Sequence, residues 1–311
     1  MKSDRALAYA AFATVCFVWG TTYLAIRVAI ETIPPLLLTG IRFTVAGLVL
    51  LAIGALRGEK LPRSPRIYLH AVIVGIMLIC IGNFAVVWAE QWVPSGMAAL
   101  LVATAPFWAA FIEFFREHES VGLQRGAGML LGFIGVALLV TPGGAGGAWD
   151  VHFLLGAAAI QFGCLAWQYG SIHGKHELKS ISPLMSSTLQ MLAGGLILDV
   201  AGVVAGEVPR FHVNTRTLLA LIYLTVFGSI IAYSAYVYAL SKIRATNVSL
   251  YAYVNPVVAV ILGWLILNEQ LTPMSFVAMI VILGGVALVQ SARSSSPAVT
   301  TVPQEPTKRA A

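Results

Sequence analysis

The chain has 311 residues, 59% of them hydrophobic and only 10% charged, with a mean hydropathy of +0.86. Soluble domains carry about 25% charged residues, and a single core of this size cannot keep so much apolar surface dry, so the composition excludes a water-soluble fold and points to a bilayer. The net charge of +6 does not indicate a nucleic-acid partner, because the Lys and Arg sit in short segments between apolar runs.

Ten runs have about the length needed to span the hydrocarbon, ~20 residues: 7–30, 35–56, 67–88, 95–115, 122–140, 153–173, 183–204, 218–240, 246–267 and 273–289. The first follows Lys2 and Arg5 as a signal peptide would, but it is too long for a signal h-region. Ser182-Pro183 and Thr272-Pro273 each place a capping hydroxyl before a proline at the first helical position. The run TPGGAGGAWD makes 141–152 a linker near the middle of the chain. The segment 294–311, rich in Ser, Pro and Thr, is predicted to be a disordered tail. Cys16, Cys80 and Cys164 all lie inside apolar runs and form neither a disulfide framework nor a metal site.

Lys and Arg are retained on the cytoplasmic side. With the N-terminus inside, fifteen of the nineteen Lys and Arg fall inside, Arg27, Arg210 and Arg216 fall outside, and Arg42 lies within a span. The expectation is a multi-pass protein of the cytoplasmic membrane, with both termini cytoplasmic and the linker outside.

The halves resemble each other. Moved by 150 residues, 95–138 falls on 245–288 without a gap, so that Pro106 meets Pro256 and Glu119 meets Glu269. Moved by 148, Trp19 meets Trp167, Pro35 meets Pro183 and Arg42 meets Gln190. Each half holds five spans, an odd number, so the second must enter from the opposite side. The expected fold is all-α, with ten transmembrane helices in two inverted five-helix repeats, 7–140 and 153–289, and a site at their interface near the midplane.

The segments VWGTTYLAIR (18–27) and PPLLLTGIRFTVAG (34–47) resemble the opening of the EamA family of the drug/metabolite transporter superfamily. SLYAYVNPVVAVILGWLILNEQLTPMSF (249–276) is similar to that family's ninth-helix signature running into its tenth helix. The resemblance covers 7–289 and is to bacterial inner-membrane members of the amino-acid and metabolite exporter type. It implies ten helices, inverted repeats, termini inside and a central cavity. It implies no particular solute, because members carry very different ones. The first repeat departs from the second at Ala105, where the second has Asn255.

Several residues invite a functional reading beside a plainer one. An arginine at the depth of Arg42 disfavours insertion by at least about 2.5 kcal/mol, so it faces a cavity or a partner. Glu90 is the expected partner in a buried ion pair, with Asp199 as another. The alternative is that Arg42 holds a solute carboxylate. The family resemblance favours the ion pair, since this arginine accompanies many solute classes. Pro106 and Pro256, near the middles of their runs, free carbonyls four residues earlier and are candidate hinges or packing kinks. Trp19 and Tyr23 share a face of the first helix, Asn247, Tyr251 and Asn255 a face of the ninth, and Gln161, Gln168 and Ser171 a side of the sixth. Asn83 corresponds to Tyr233, and Gln190 lies on the seventh helix. Singly each is helix–helix glue; together Trp19, Tyr23, Asn83, Gln168, Gln190, Tyr233, Tyr251 and Asn255 suggest a polar, aromatic-lined substrate cavity. Gly128, Gly132 and Gly135 read as a packing face, and Glu119 and Glu269 as helix-end caps. REHE (116–119) and HGKHE (173–177) fit no metal-ligand spacing and read as solvated loop ends.

The function this supports is a secondary transporter, an exporter of small organic metabolites such as amino acids, working by alternating access. A membrane-embedded enzyme is the first alternative, but no nucleophile elbow, HExxH or phosphate loop is present, so no catalytic residues and no cofactor are expected. A channel or non-transporting receptor is the second, but no pore-lining pattern is visible. The expected partners are the lipid bilayer and a small solute, with no nucleic acid. No carboxylate sits clearly at the midplane, so uncoupled export or exchange is favoured, with Glu90 the remaining proton carrier.

Overall fold

The architecture comes from a computed structural model that describes residues 2–117, 122–140, 151–243, 248, 251–269 and 272–294. The helices are α1 Lys2–Ala29, α2 Pro35–Leu56, α3 Pro65–Ala89, α4 Ser95–Val102, α5 Ala105–Glu117, α6 Leu123–Val140, α7 Val151–Glu177, α8 Pro183–Val204, α9 Thr215–Lys242, α10 Tyr251–Leu267 and α11 Pro273–Ser294. No strand occurs among the described residues. Seven segments are long and apolar enough to cross a membrane: α1 from Ala6, α2, α3, Ser95–Ile112, α7, α8 and α9. Three shorter apolar stretches, Gly126–Leu138, Val254–Leu267 and Pro273–Val289, lie on α6, α10 and α11. Linker positions 141–150, Glu119, Asn247 and the tail from 295 lie outside the described residues.

Apolar side chains cover the outside as well as the core: Phe162 is 61% exposed and Leu130 64%. That distribution suits lipid, which solvates them where water does not. Ser95–Ile112 is the innermost stretch, with 78% of its apolar window buried against 39–50% for the other six.

The run 95–115 is not one helix with Pro106 at its middle, as expected. It breaks at Ala103–Thr104, and Pro106 is the second residue of α5. Proline donates no N–H and crowds the preceding turn, so a helix restarts there more readily than it continues. The break is satisfied internally, since Gln161 Nε2 donates to Leu101 O (3.0 Å) and Gln161 Oε1 accepts from Trp108 Nε1 (3.0 Å) and Thr104 Oγ1 (2.8 Å). Pro256, by contrast, stays inside α10. The two prolines are equivalent in sequence but not in structure.

Two helix pairs form the closest seams. Between α6 and α11, a Cβ on Gly285 would stand 2.6 Å from Gly128 O and Gly132 N, while one on Gly135 would meet Ile282 N at 2.8 Å. Backbone therefore meets backbone along an antiparallel contact, the small-residue packing that lipid-embedded helices favour. The pair α2 and α8 is also antiparallel, and reciprocal caps close both its ends. Gly58 and Gly206, 148 residues apart, end α2 and α8 in the left-handed region (φ 73° and 71°). Each turn is closed in the same way, by Glu59 N to Gly54 O and Glu207 N to Gly202 O, both 2.9 Å. The glutamate after each glycine then reaches the start of the other helix. Glu207 accepts from Leu37 N (2.9 Å) and Leu36 N (3.4 Å), and Glu59 accepts from the Ser182 hydroxyl (2.5 Å). Ser182 itself caps α8 by accepting from Met185 N (3.0 Å). Similarly, Glu269 accepts from Ser95 N (2.8 Å) and Gly96 N (3.1 Å) at the start of α4.

Candidate functional site

The site is built where helices lose regular winding. α3 contains a π-helical stretch, Ile76–Asn83, and α9 contains another, Leu224–Tyr233. They end 150 residues apart, at Asn83 and Tyr233. A π stretch rotates the following side chains relative to the preceding ones and is frequently found at functional sites.

A cavity of about 70 Å³ lies among Trp19, Thr22, Tyr23 and Ile26 of α1, Arg42 of α2, Gly82, Asn83 and Val86 of α3, Val102 and Ala105 at the broken helix, Ile160, Gly163, Cys164 and Trp167 of α7, and Tyr251 and Asn255 of α10. That is room for a handful of waters. Trp19, Tyr23, Asn83, Tyr251 and Asn255 are thus brought together as expected. Gln168, Gln190 and Tyr233 do not line this cavity. Tyr233 is 1% exposed and donates to Gln190 Oε1 (2.7 Å), whose amide donates to Ser186 Oγ (2.7 Å). Gln168 is buried with its Nε2 unpartnered. Gln190 lines a different cavity, and Tyr233 is tied to Gln190 by that hydrogen bond.

A second cavity, about 280 Å³, lies toward the N-terminal end of α3 and the C-terminal ends of α7 and α9. Its lining includes Leu78, Gly170, Ser171, Gly174, Lys175, Lys179, Gln190, Tyr236 and Lys242. An aromatic partition stands between the two. Trp19 meets Trp167 edge-on (5.4 Å between centroids), Tyr251 edge-on (5.1 Å) and Tyr236 at a tilt (5.1 Å). Trp19 Nε1 donates to Gly228 O (3.2 Å) and Trp167 Nε1 to Tyr236 Oη (3.0 Å), and the Tyr236 hydroxyl also pairs with Ser171 Oγ (2.7 Å). Tyr236 was missed in the sequence, where a tyrosine inside an apolar run carries no mark of its own. Its counterpart 150 residues earlier is Val86, which lines the first cavity.

The expected ion pair between Arg42 and Glu90 is not formed. Arg42 is 2% exposed, and its Nε donates to Ser229 Oγ (2.7 Å) while Nη1 has no partner. Its guanidinium packs against Gly228, where a Cβ would lie 2.8 Å from Nη2, and over the Phe43 ring at 4.7 Å. Asp199 is engaged elsewhere, accepting from Thr44 Oγ1 (2.6 Å). Glu90 stands in the turn beyond α3 with 0% exposure, and neither carboxyl oxygen has a hydrogen bond. The Arg27 guanidinium donates to the Glu90 backbone carbonyl, not to the carboxylate. Asn255 is 1% exposed; oriented to suit its surroundings, its amide nitrogen donates to Cys16 O (2.8 Å) and Tyr251 O (3.1 Å), and its side chain also pairs with the Tyr23 hydroxyl.

The EamA-like transporter family matches residues 6–141 and again 154–291. The inner membrane transporter YedA of Escherichia coli (strain K12) is 38% identical over 297 residues, covering 93% of this chain and 92% of YedA. The transporter YoaV of Bacillus subtilis (strain 168) is 26% identical over 260 residues, covering 83% of this chain and 88% of YoaV. One solved crystal structure shares the fold with a TM-score of 0.67 at 21% identity, covering 93% of this chain and 99% of its own.

Proposed function

The chain belongs to the EamA-like transporter family and is a multi-pass membrane transporter of small solutes, and we propose that it exports organic metabolites such as amino acids by alternating access. In this reading ten helices cross the cytoplasmic membrane as two inverted five-helix repeats, 7–140 and 153–289. They are joined by an outside linker, 141–152, and followed by a cytoplasmic tail, 294–311. Solute binds between the halves against Trp19, Tyr23, Asn83, Tyr251 and Asn255. Gln190, Tyr233 and Gln168 belong to the half-site used when the protein faces the other way. The bend at Pro106 and the proline within α10, Pro256, serve as hinges.

The observation that carries this reading is the relation between the two cavities. Lining residues of the first have sequence counterparts lining the second: Thr22 and Gly170, Tyr23 and Ser171, Ile26 and Gly174, Arg42 and Gln190, Val86 and Tyr236. Two half-sites related by an inverted repeat, divided by aromatic rings, are what exchange of access requires. The antiparallel seams and reciprocal caps support the inversion. The second cavity lies at the helix ends that the charge bias assigns to the cytoplasm.

In a background where Cys16, Cys80 and Cys164 are replaced, single cysteines at Thr22 and Ser241 report on the two cavities. An impermeant thiol reagent is expected to reach Thr22→Cys from outside and Ser241→Cys from inside, with opposite changes when transported solute is added. Both positions reacting from the same side would end the alternating-access reading.

A further inference from the structure

We infer that Arg27 and Lys175 are a matched pair of gate latches, each tying the first helix of its repeat to the third at the mouth of one cavity. The inference rests on the alternating-access reading above and names the contacts that must break in turn. Arg27 lies in the last turn of α1, and its guanidinium donates to the carbonyl of Glu90, the residue that caps the C-terminus of α3. Lys175 lies in the last turn of α7, and its Nζ donates to the carbonyl of Ile243 (2.6 Å), the residue that caps the C-terminus of α9. The two basic residues are 148 residues apart, the spacing that also relates Trp19 to Trp167. Their acceptors are 153 residues apart but hold the same place, the end of the third helix of each repeat.

Each latch stands at the end of the cavity that its helices line. Ile26 of α1 and Val86 of α3 line the first cavity, and Arg27 follows directly. On its other side Arg27 lines an outer cleft of about 510 Å³, with Glu31, Gln91 and Glu269. Lys175 itself lines the second cavity, with Leu240 and Lys242 of α9. Arg27 is one of three basic residues that the loop bias places outside, where Lys and Arg are scarce. The bias alone accounts for a lysine at 175 but not for an arginine at 27. The acceptors suit a contact that is made and broken. The last carbonyls of a helix have no partner within it, and the helix dipole draws a cation to that end. Because the acceptor is neutral, no second charge is uncovered when the helix ends part, and water takes the place of the cation. Release of Arg27 frees the outer ends of α1 and α3, and release of Lys175 the inner ends of α7 and α9.

The test uses the Thr22→Cys and Ser241→Cys reporters in the cysteine-replaced background, labelled by an impermeant thiol reagent on intact cells and on inside-out vesicles. Arg27→Gln is expected to raise the labelling rate of Thr22→Cys from outside about tenfold, the effect of losing one charge-assisted hydrogen bond, and to lower that of Ser241→Cys from inside. Lys175→Gln does the reverse, and the two together return both rates toward wild type. Arg27→Lys, which keeps the charge, stays nearer wild type than Arg27→Gln. A variant that merely loosens the fold speeds labelling at both positions; that outcome, or no change at either, would overturn the latches while alternating access stands. So would an effect of Arg27→Gln that vanishes in a Glu90→Gln background, since it would then act on the carboxylate and not on the carbonyl. Each latch is read by itself, so a variant that fails to insert leaves the other to decide. Both reporters reacting from the same side without either latch substitution would remove the transport reading and this inference together.

Discussion

Glu90 offers a test at the scale of one residue. It lies beyond the end of α3, fully buried, with both carboxyl oxygens free of hydrogen bonds. Burial, and then the neighbouring Glu269 carboxylate, push its pKa well above the ordinary carboxylate value, against a smaller opposing effect of Arg27. A value raised by folding means that Glu90's contribution is fully present below the ordinary carboxylate pKa. It is lost as pH rises through the raised value. Glu90→Gln, which cannot ionise, is expected to melt higher than wild type at neutral pH, by a few degrees. The gap closes as pH falls into the carboxylate range; a gap that widens on acidification would show that the ionised form is the stabilising one. Because Arg42 and Glu90 share no contact, Arg42→Ala and Glu90→Gln are expected to add within about 0.5 kcal/mol in a double-mutant cycle. A coupling well above 1 kcal/mol would restore the ion pair.

The helix ends carry their own predictions. Glu207 satisfies two backbone N–H groups at the start of α2, whereas Glu59 accepts from one hydroxyl at the start of α8, which Ser182 already caps. Removing a cap costs about 1 kcal/mol, with more expected where a buried donor is left bare. Glu207→Ala should therefore lower thermal stability in detergent more than Glu59→Ala, and a larger loss at Glu59 would contradict the difference read from the hydrogen bonds. Gly206→Ala should destabilise by about 1–2 kcal/mol, since the left-handed turn brings a Cβ against the following carbonyl. Along the α6–α11 seam, Gly285→Leu has no room, with backbone 2.6 Å from its Cβ, and the two helices must separate. Loss of folded protein in membranes is expected; normal levels would mean the seam can open.

For the whole molecule, the testable quantity is sidedness. The bias of fifteen Lys and Arg to one face against three on the other predicts that a cysteine at Gly146 is labelled from outside intact cells and one at Ser295 is not. Labelling of Ser295→Cys from outside would invert or break the topology. The same bias predicts that the second cavity, lined by Lys175, Lys179 and Lys242, lies toward the cytoplasm. In reconstituted vesicles, solute flux is expected to proceed without a stoichiometric proton flux, because no carboxylate lines either cavity.

That the chain is a helical membrane protein of this family, and that its halves repeat, was legible in the sequence. Hydropathy, loop charge and the spacing of Trp19 and Pro35 from Trp167 and Pro183 are local properties that no tertiary contact alters. A helix period also shows which side chains point inward, and so Trp19, Tyr23, Asn83, Tyr251 and Asn255 could be grouped in advance. What the period does not show is depth and partner. Gln190 is as inward-facing as Asn83 but lines the second cavity, Tyr233 is buried against Trp167 and bonded to Gln190, and Tyr236 joins the aromatic partition with nothing in its flanking sequence to mark it. Arg42 and Glu90 were paired by charge alone. The packing of α2 against Gly228 instead aims the arginine at Ser229 and the cavity, because a long side chain in lipid goes where a glycine leaves room and an oxygen waits. The prolines at equivalent places, Pro106 and Pro256, also differ in a way the sequence does not mark: the helix breaks before the first, where Gln161 of another helix donates to Leu101 O and accepts from Thr104, and runs unbroken through the second.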